Sequence, residues 1–249
     1  MKKICFIGTS HLKAVANAWL NSFSSKYPSI QADFLAAPTA ELWQAEFLPE
    51  EIRVPSGSKL EEFALHFSNY KLKFTLQDYD CFIFQSLIMP HQMVLELSRQ
   101  LGDPQKESSQ FFSDSCLRTT FDLYLQQTHD KVYLEHIRQY SDAPIVVSLA
   151  PKPSILALNK HPNQYKNYLQ HADRFNRLFL ESCESFLSGY SKIILVKQPE
   201  TTLATPHFTQ LEYCRNYGQV PVETITDFAH QNARYGLVVL KQIFDNLPV

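Results

Sequence analysis

The stretch KKICFIGTSHLKAVANAW (residues 2–19) leads from an apolar run directly into a helical pattern. Its apolar run, Ile4 to Ile7, is typical of a strand that is buried on both faces, as in a parallel sheet. The run stops at Gly8, and small and apolar residues recur at helical spacing after a short polar turn. A strand, a turn and a helix in this order predict an α/β fold with Ser10 at the sheet edge where ligands bind.

The rest of the chain repeats this alternation. The further apolar runs are IQADFLAA from Ile30, DCFIFQSL from Asp80, APIVVSLAP from Ala143 and KIILVKQP from Lys192. The helices predicted from periodicity cover 13–25, 114–127, 131–140, 165–187 and about 230–244. We therefore predict a three-layer, doubly wound, flavodoxin-like fold of about five parallel strands, forming one domain over 1–249. A small insertion near residues 50–77 is predicted as a hairpin or a short helix.

Composition excludes several classes of partner. The 249 residues are 45% hydrophobic and 19% charged, with a net charge of −2, which is ordinary for a globular protein and offers no basic surface for nucleic acid or anionic membrane. No stretch approaches the ~20 apolar residues that a membrane span needs. No signal peptide is expected, because the apolar run after Lys2 and Lys3 is too short. Oligomeric state stays open.

Cofactor and metal sites are not expected either. The five cysteines are scattered without Cys-x-x-Cys spacing, and the nine histidines show no ligand spacing, so neither a disulfide framework nor a zinc site is predicted. This cysteine usage favours a cytoplasmic protein. A nucleotide-binding α/β protein is a weak alternative, because no glycine-rich phosphate loop occurs.

The two ends of the chain supply residues that could act together. Ser10 follows the first strand and precedes a helix, where free N–H groups favour negative charge. A serine hydroxyl needs a base to become a nucleophile. Asp227 and His230 are three residues apart, so the carboxylate could accept the Nδ1–H of the imidazole and leave Nε2 free for a serine proton.

The segments FIGTSHLKA and DFAHQNARYG resemble the first and last sequence blocks of the SGNH hydrolase superfamily, the GDSL-type esterases and acyltransferases. Gly8-Thr9-Ser10 stands where the family has Gly-Asp-Ser, and Asp227 to His230 matches its Asp-x-x-His. The resemblance implies a Ser10 nucleophile, a His230 base oriented by Asp227, and an acyl-enzyme that passes its group to water or to a sugar hydroxyl. It also implies an ester with a short acyl group such as acetyl, carried on a carbohydrate.

One family element is missing. The Gly-x-Asn-Asp block, whose asparagine helps to form the oxyanion hole, does not occur in this chain. The third strand instead ends in FIFQSLIMP, which places Gln85 or Ser86 near the position of that donor. We predict an oxyanion hole from the Ser10 N–H together with Gln85 or Ser86. His11, beside the site, is a candidate for substrate contact, or else a surface or capping residue.

Simpler explanations exist for each of these residues. Ser10 could be a helix N-cap, Asp227 could cap the last helix, and the Gln85 amide could bond to backbone. The missing block also allows a chain that has lost catalysis. The alternative function is then a binding module with the same fold that recognises a glycan or a partner protein.

Overall fold

A computed structural model describes residues 1–65, 71–101 and 112–247, so that 66–70 of the predicted insertion lie outside the described residues. The strands are β1 (Lys2–Gly8), β2 (Ile30–Ala36), β3 (Glu46–Leu48), β4 (Glu51–Arg53), β5 (Lys73–Thr75), β6 (Cys81–Gln85), β7 (Ile145–Ser148), β8 (Ile193–Val196), β9 (Leu203–Thr205) and β10 (Phe208–Thr209). The helices are α1 (Leu12–Ala18), α2 (Thr39–Leu42), α3 (Lys59–Ala64), α4 (Pro90–Leu101), α5 (Asp114–Gln126), α6 (His129–Tyr140), α7 (Ile155–Lys160), α8 (Pro162–Ser188) and α9 (Ala233–Asn246).

The central sheet is parallel throughout and has the order β2-β1-β6-β7-β8. Taken along the chain, its strands follow the order 2-1-3-4-5 of doubly wound, flavodoxin-like folds. The predicted fold class is therefore confirmed. The strand order reverses between β1 and β6, where Gly8 pairs with Gln85. A crevice for ligands is expected outside the carboxyl ends of these two strands.

Helices cover both faces of this sheet. On β1, Ile4 and Phe6 point into the core beneath α1 and α9, while Cys5 and Ile7 point into the core beneath α4, α5, α6 and α8. Because alternate residues of a strand face opposite sides, a strand that is apolar at every position must be covered on both. The continuous apolar run that opens the chain thus specifies the middle layer of a three-layer fold.

The predicted insertion near 50–77 is a small antiparallel sheet with the order β3-β4-β5, which begins earlier, at Glu46, and also carries α3. It is tied to β2 through the buried Asp33 carboxylate. The Lys71 ammonium lies 2.7 Å from one Asp33 oxygen, and the Tyr79 hydroxyl donates to the same oxygen at 2.8 Å. These bonds hold the insertion against the edge of the main sheet.

Each of the five predicted helices is present with bounds that differ by one or more residues, and the first and the last differ for a structural reason. The first regular helix ends at Ala18 and continues as a π-helical turn over Trp19–Phe23 and a 3₁₀ turn over Ser24–Lys26. The last helix begins at Ala233 rather than near 230, because the Asn232 side chain accepts hydrogen bonds from two N–H groups of its first turn. None of the helices in the described ranges is long and apolar enough to cross a membrane.

Candidate active site

Ser10 is presented by a tight turn at the end of β1. At Gly8 an added Cβ would lie 2.3 Å from the Gln85 carbonyl oxygen, so only glycine allows this approach of the two strands. The next residue, Thr9, donates its N–H to the Gln85 carbonyl at 3.3 Å and its hydroxyl to the Ser86 carbonyl at 3.2 Å. The turn is therefore fixed on β6, and Ser10 leaves it exposed at the switch point of the sheet.

The structure brings Ser10, His230 and Asp227 together. The Ser10 hydroxyl lies 2.8 Å from His230 Nε2, although the two residues are 220 positions apart. His230 Nδ1 lies 3.0 Å from both Asp227 carboxylate oxygens, and the His230 backbone N–H donates to Oδ1 at 3.1 Å. When Nδ1–H donates to the carboxylate, Nε2 is left to accept the serine proton.

Neither Ser10 nor Asp227 caps a helix with its side chain. The helix α1 has His11 at its N-cap position and no side-chain capping bond, while α9 is capped by Asn232. The Ser10 hydroxyl and the Asp227 carboxylate both point to His230 instead. The capping explanations, which fit the sequence, do not describe this geometry.

The charges around His230 favour an ionised carboxylate. Burial would raise the pKa of Asp227, but hydrogen bonds from the backbone and ring of His230, with the charges of His230 and Arg215, outweigh burial and lower this pKa. The nearest Arg215 nitrogen is 3.5 Å from Asp227 Oδ2. An ionised Asp227 can orient the imidazole and stabilise its protonated form.

His11 packs directly against His230, with 4.8 Å between the ring centroids. Burial, and then the neighbouring His230 charge, lower the pKa of His11 to about 4, so it is neutral near pH 7. Its Nδ1 is buried with no hydrogen-bond partner among the described residues. The substrate contact predicted for His11 stays a prediction.

Gln85 and Ser86 lie behind the turn and are both almost fully buried. The Gln85 amide nitrogen donates to the Ser86 hydroxyl at 2.9 Å, and Ser86 has a positive φ of 61°. Neither belongs to the described residues that line the two cavities beside Ser10 and Asp227. Their oxyanion role stays a prediction, and what the structure shows is that they hold Thr9. The Ser10 N–H donates to no described residue.

Two cavities flank the three hydrogen-bonded side chains. One, of about 840 Å³, is bordered by Ser10 and His230. The other, of about 390 Å³, is bordered by His11 and Asp227 and has aromatic and proline residues in its wall. A substrate bound at Ser10 could therefore occupy the larger cavity, which Ser10 lines directly.

Sequence analysis missed Arg215 and the cavity walls. Arg215 belongs to an irregular segment between β10 and α9, where no periodicity or motif marks it. The Cys214 thiol in the same segment donates to the Asp227 carbonyl at 3.2 Å. Such contacts between loops depend on the folded path of the chain, so no local sequence pattern predicts them.

No family model matches the sequence, and no curated protein matches it either. Among solved structures, 98% of the chain is similar to 97% of a lipase from a goat rumen metagenome, with a TM-score of 0.50 and 9% identity. An extracellular lipase from Streptomyces rimosus matches with a TM-score of 0.47 and 13% identity, over 97% of this chain and 99% of that chain. A carbohydrate acetylesterase family member from Sinorhizobium meliloti matches with a TM-score of 0.39 and 10% identity, over 98% and 95%. The chain has an SGNH-like fold, as the resemblance implied, and at 9% identity the match to the goat rumen lipase shows this fold alone.

Proposed function

We propose that this chain is a serine-dependent ester hydrolase or O-acyltransferase. The observation that carries the proposal is the continuous hydrogen-bonded line from the Ser10 hydroxyl through His230 to Asp227. A nucleophile, a base and a group that orients the base, each within hydrogen-bond reach of the next, are the arrangement that acyl transfer by serine requires.

In the first half of the reaction, Ser10 Oγ attacks the ester carbonyl carbon while His230 Nε2 takes the serine proton. The tetrahedral intermediate then collapses, the bond to the alcohol oxygen breaks, and His230 returns the proton to the leaving alcohol. Asp227 remains ionised and stabilises the imidazolium while it exists. The product is an acyl ester of Ser10.

In the second half, His230 takes a proton from water or from a sugar hydroxyl, and the resulting oxygen attacks the acyl-enzyme. Collapse of this second intermediate frees Ser10 and returns its proton from His230. Water as the acceptor gives hydrolysis, and a sugar hydroxyl gives acyl transfer. We propose a short acyl group such as acetyl, carried on a carbohydrate.

The oxyanion that forms in each half needs positioned donors. We propose the Ser10 N–H as one of them, since it precedes α1, where unpaired N–H groups favour negative charge. Gln85 is the proposed second donor, with Ser86 as the alternative. One donor of this kind is worth roughly 10²–10³ in rate.

A fluorophosphonate probe tests the proposal, because it forms a covalent bond only with an activated serine. We expect stoichiometric labelling, mapped by mass spectrometry to Ser10 and lost in Ser10→Ala and His230→Ala. The exposed Ser29, at the far edge of the sheet, supplies a matched control, and Ser29→Ala should label fully. A folded protein that never labels would contradict the enzyme and favour the glycan- or protein-binding module.

A further inference from the structure

The larger cavity at Ser10 has an electrostatic character opposite to that of the whole chain. Its charged lining residues are Lys13 and Arg215, and none of the described lining residues carries a carboxylate. The chain as a whole has a net charge of −2. The rest of the wall is small or apolar and consists mainly of Ala36, Ala37, Pro38, Leu20 and Phe63.

Lys13 stands on the same side of its helix as Ser10. Its backbone N–H donates to the Ser10 carbonyl at 3.3 Å, a bond between residues three apart. In such a tight turn the side chains at these two positions lie one above the other. Lys13 is exposed, and no carboxylate of the described residues lies within ion-pairing distance of its ammonium. Its charge is therefore available to a bound molecule.

Arg215 contributes a second positive charge to the lining of this cavity. Its one recorded ionic contact is the long 3.5 Å approach of Nη1 to Asp227. A guanidinium has five N–H donors, so most of them are left for another acceptor. Nearly half of the Arg215 side-chain surface, 47%, is solvent-exposed, and the residue lines the cavity that Ser10 borders.

We propose that the ester substrate carries an anionic group, a carboxylate or a phosphate, on its alcohol portion, and that Lys13 and Arg215 bind this group. The inference rests on the proposed function and deepens it. During the reaction the acyl group bonds to Ser10 Oγ, the ester bond to the alcohol breaks, and His230 protonates the leaving oxygen. The anionic group keeps its charge and leaves with the alcohol.

Three aryl acetates of similar size test this inference. They are 4-acetoxybenzoate, 4-acetoxyphenyl phosphate and the neutral 4-acetoxybenzamide. We expect kcat/KM for at least one anionic ester to exceed that for the amide by about 3- to 10-fold at low salt, after correction for the uncatalysed rates. The ratio should approach one near 1 M salt, where charges are screened over a few ångströms. Preference for the benzoate indicates a carboxylate, and preference for the phosphate ester indicates a phosphoryl group.

Charge variants separate this site from the general charge of the protein. Lys13→Gln should lower the ratio of anionic to neutral ester severalfold. Lys26→Gln is the matched control: it also removes one positive charge, but from the 3₁₀ turn that follows α1 at the opposite edge of the sheet. It should leave the ratio of anionic to neutral ester unchanged. A ratio of one in the parent protein, with the neutral ester turned over, would overturn the inference and leave the proposed function intact. Equal loss of both esters in Lys13→Gln would also overturn it. If no ester is turned over and Ser10 never labels, both proposals fall.

Discussion

Removal of the Ser10 hydroxyl should abolish ester turnover and hardly affect folding. The hydroxyl makes one recorded hydrogen bond, the 2.8 Å contact to His230 Nε2, at an exposed residue. It caps no helix, so the free energy of unfolding loses only the net worth of that bond, about 0.5–1.5 kcal/mol. For a chain of this length, 1 kcal/mol lowers Tm by about 2–4 °C.

The loss of activity should be far larger. Ser10→Ala and His230→Ala should each lower kcat by roughly 10⁴–10⁶, because neither residue can perform acyl transfer without the other. The double variant should be little worse than either single variant. Asp227→Asn should also be severe, since an amide favours the wrong imidazole tautomer. It should cost more stability than Ser10→Ala, because the carboxylate accepts bonds from both the backbone and the ring of His230 and faces Arg215.

Both quantities can be measured on the same purified samples. Hydrolysis of a small aryl acetate gives kcat, and thermal unfolding gives Tm for each variant and for the double variant. Helix-capping roles would give the reverse pattern, with a lowered Tm and turnover per folded molecule retained. Full turnover by folded Ser10→Ala would refute the reasoning, and losses that multiply in the double variant would refute a single catalytic unit.

Three further predictions concern the surroundings of the site and the core. Gln85→Ala should lower kcat about 10²-fold with little change in KM, since an oxyanion donor acts mainly in the transition state; unchanged kcat with a lowered Tm would limit Gln85 to holding the turn. Asp130 is fully buried, its carboxylate oxygens have no hydrogen-bond partner among the described residues, and burial raises its pKa from 3.8 to about 8. Between these two pKa values the unfolded chain releases a proton that the folded chain keeps, so the stability of the protein falls as pH rises. Asp130→Asn removes this effect, so its gain in stability over the parent protein should grow from about zero at pH 4 to a few kcal/mol near pH 8, measured as a difference in Tm. A difference in Tm that stays constant across this range would contradict the prediction. Gly236→Ala should lower stability by about 1–3 kcal/mol, because the new Cβ would lie 2.1 Å from the Ala14 carbonyl oxygen. A raised Tm, as expected at an open helix position, would contradict the close packing.

The main sheet could be predicted because its signal is local. The strands β1, β2, β6 and β7 are short, mostly apolar runs that are largely buried on both faces, and such runs are recognisable without knowledge of their partners. The small sheet β3-β4-β5 could not be predicted in detail, because its strands are three residues long and unevenly buried. The π-helical turn after Ala18 was also missed, since Trp19 and Phe23 continue the helical apolar pattern.

The only residues of the candidate site that could be predicted were those marked by their type and their order along the chain. Ser10, Asp227 and His230 carry a family pattern, and the structure brings them together. For Gln85 the position at the end of β6 was predictable, but the direction of its amide was not, because that direction depends on the contact with Ser86. The contact of Arg215 with Asp227 could not be predicted, because it depends on the folded path of a long irregular segment.

The packing of α1 against α9 explains why residues from opposite ends of the chain meet. Gly236 in the first turn of α9 touches the backbone of Ala14 near the start of α1, and farther along Phe244 lies against Trp19, with 5.7 Å between ring centroids. The two helices therefore run side by side in the same direction, with their N-termini at the same edge of the sheet. Ser10 precedes one helix by two residues and His230 precedes the other by three, so the packing that buries their apolar faces also sets the distance between serine and histidine. A change at this helix interface should consequently affect kcat as well as stability, although it lies outside the site.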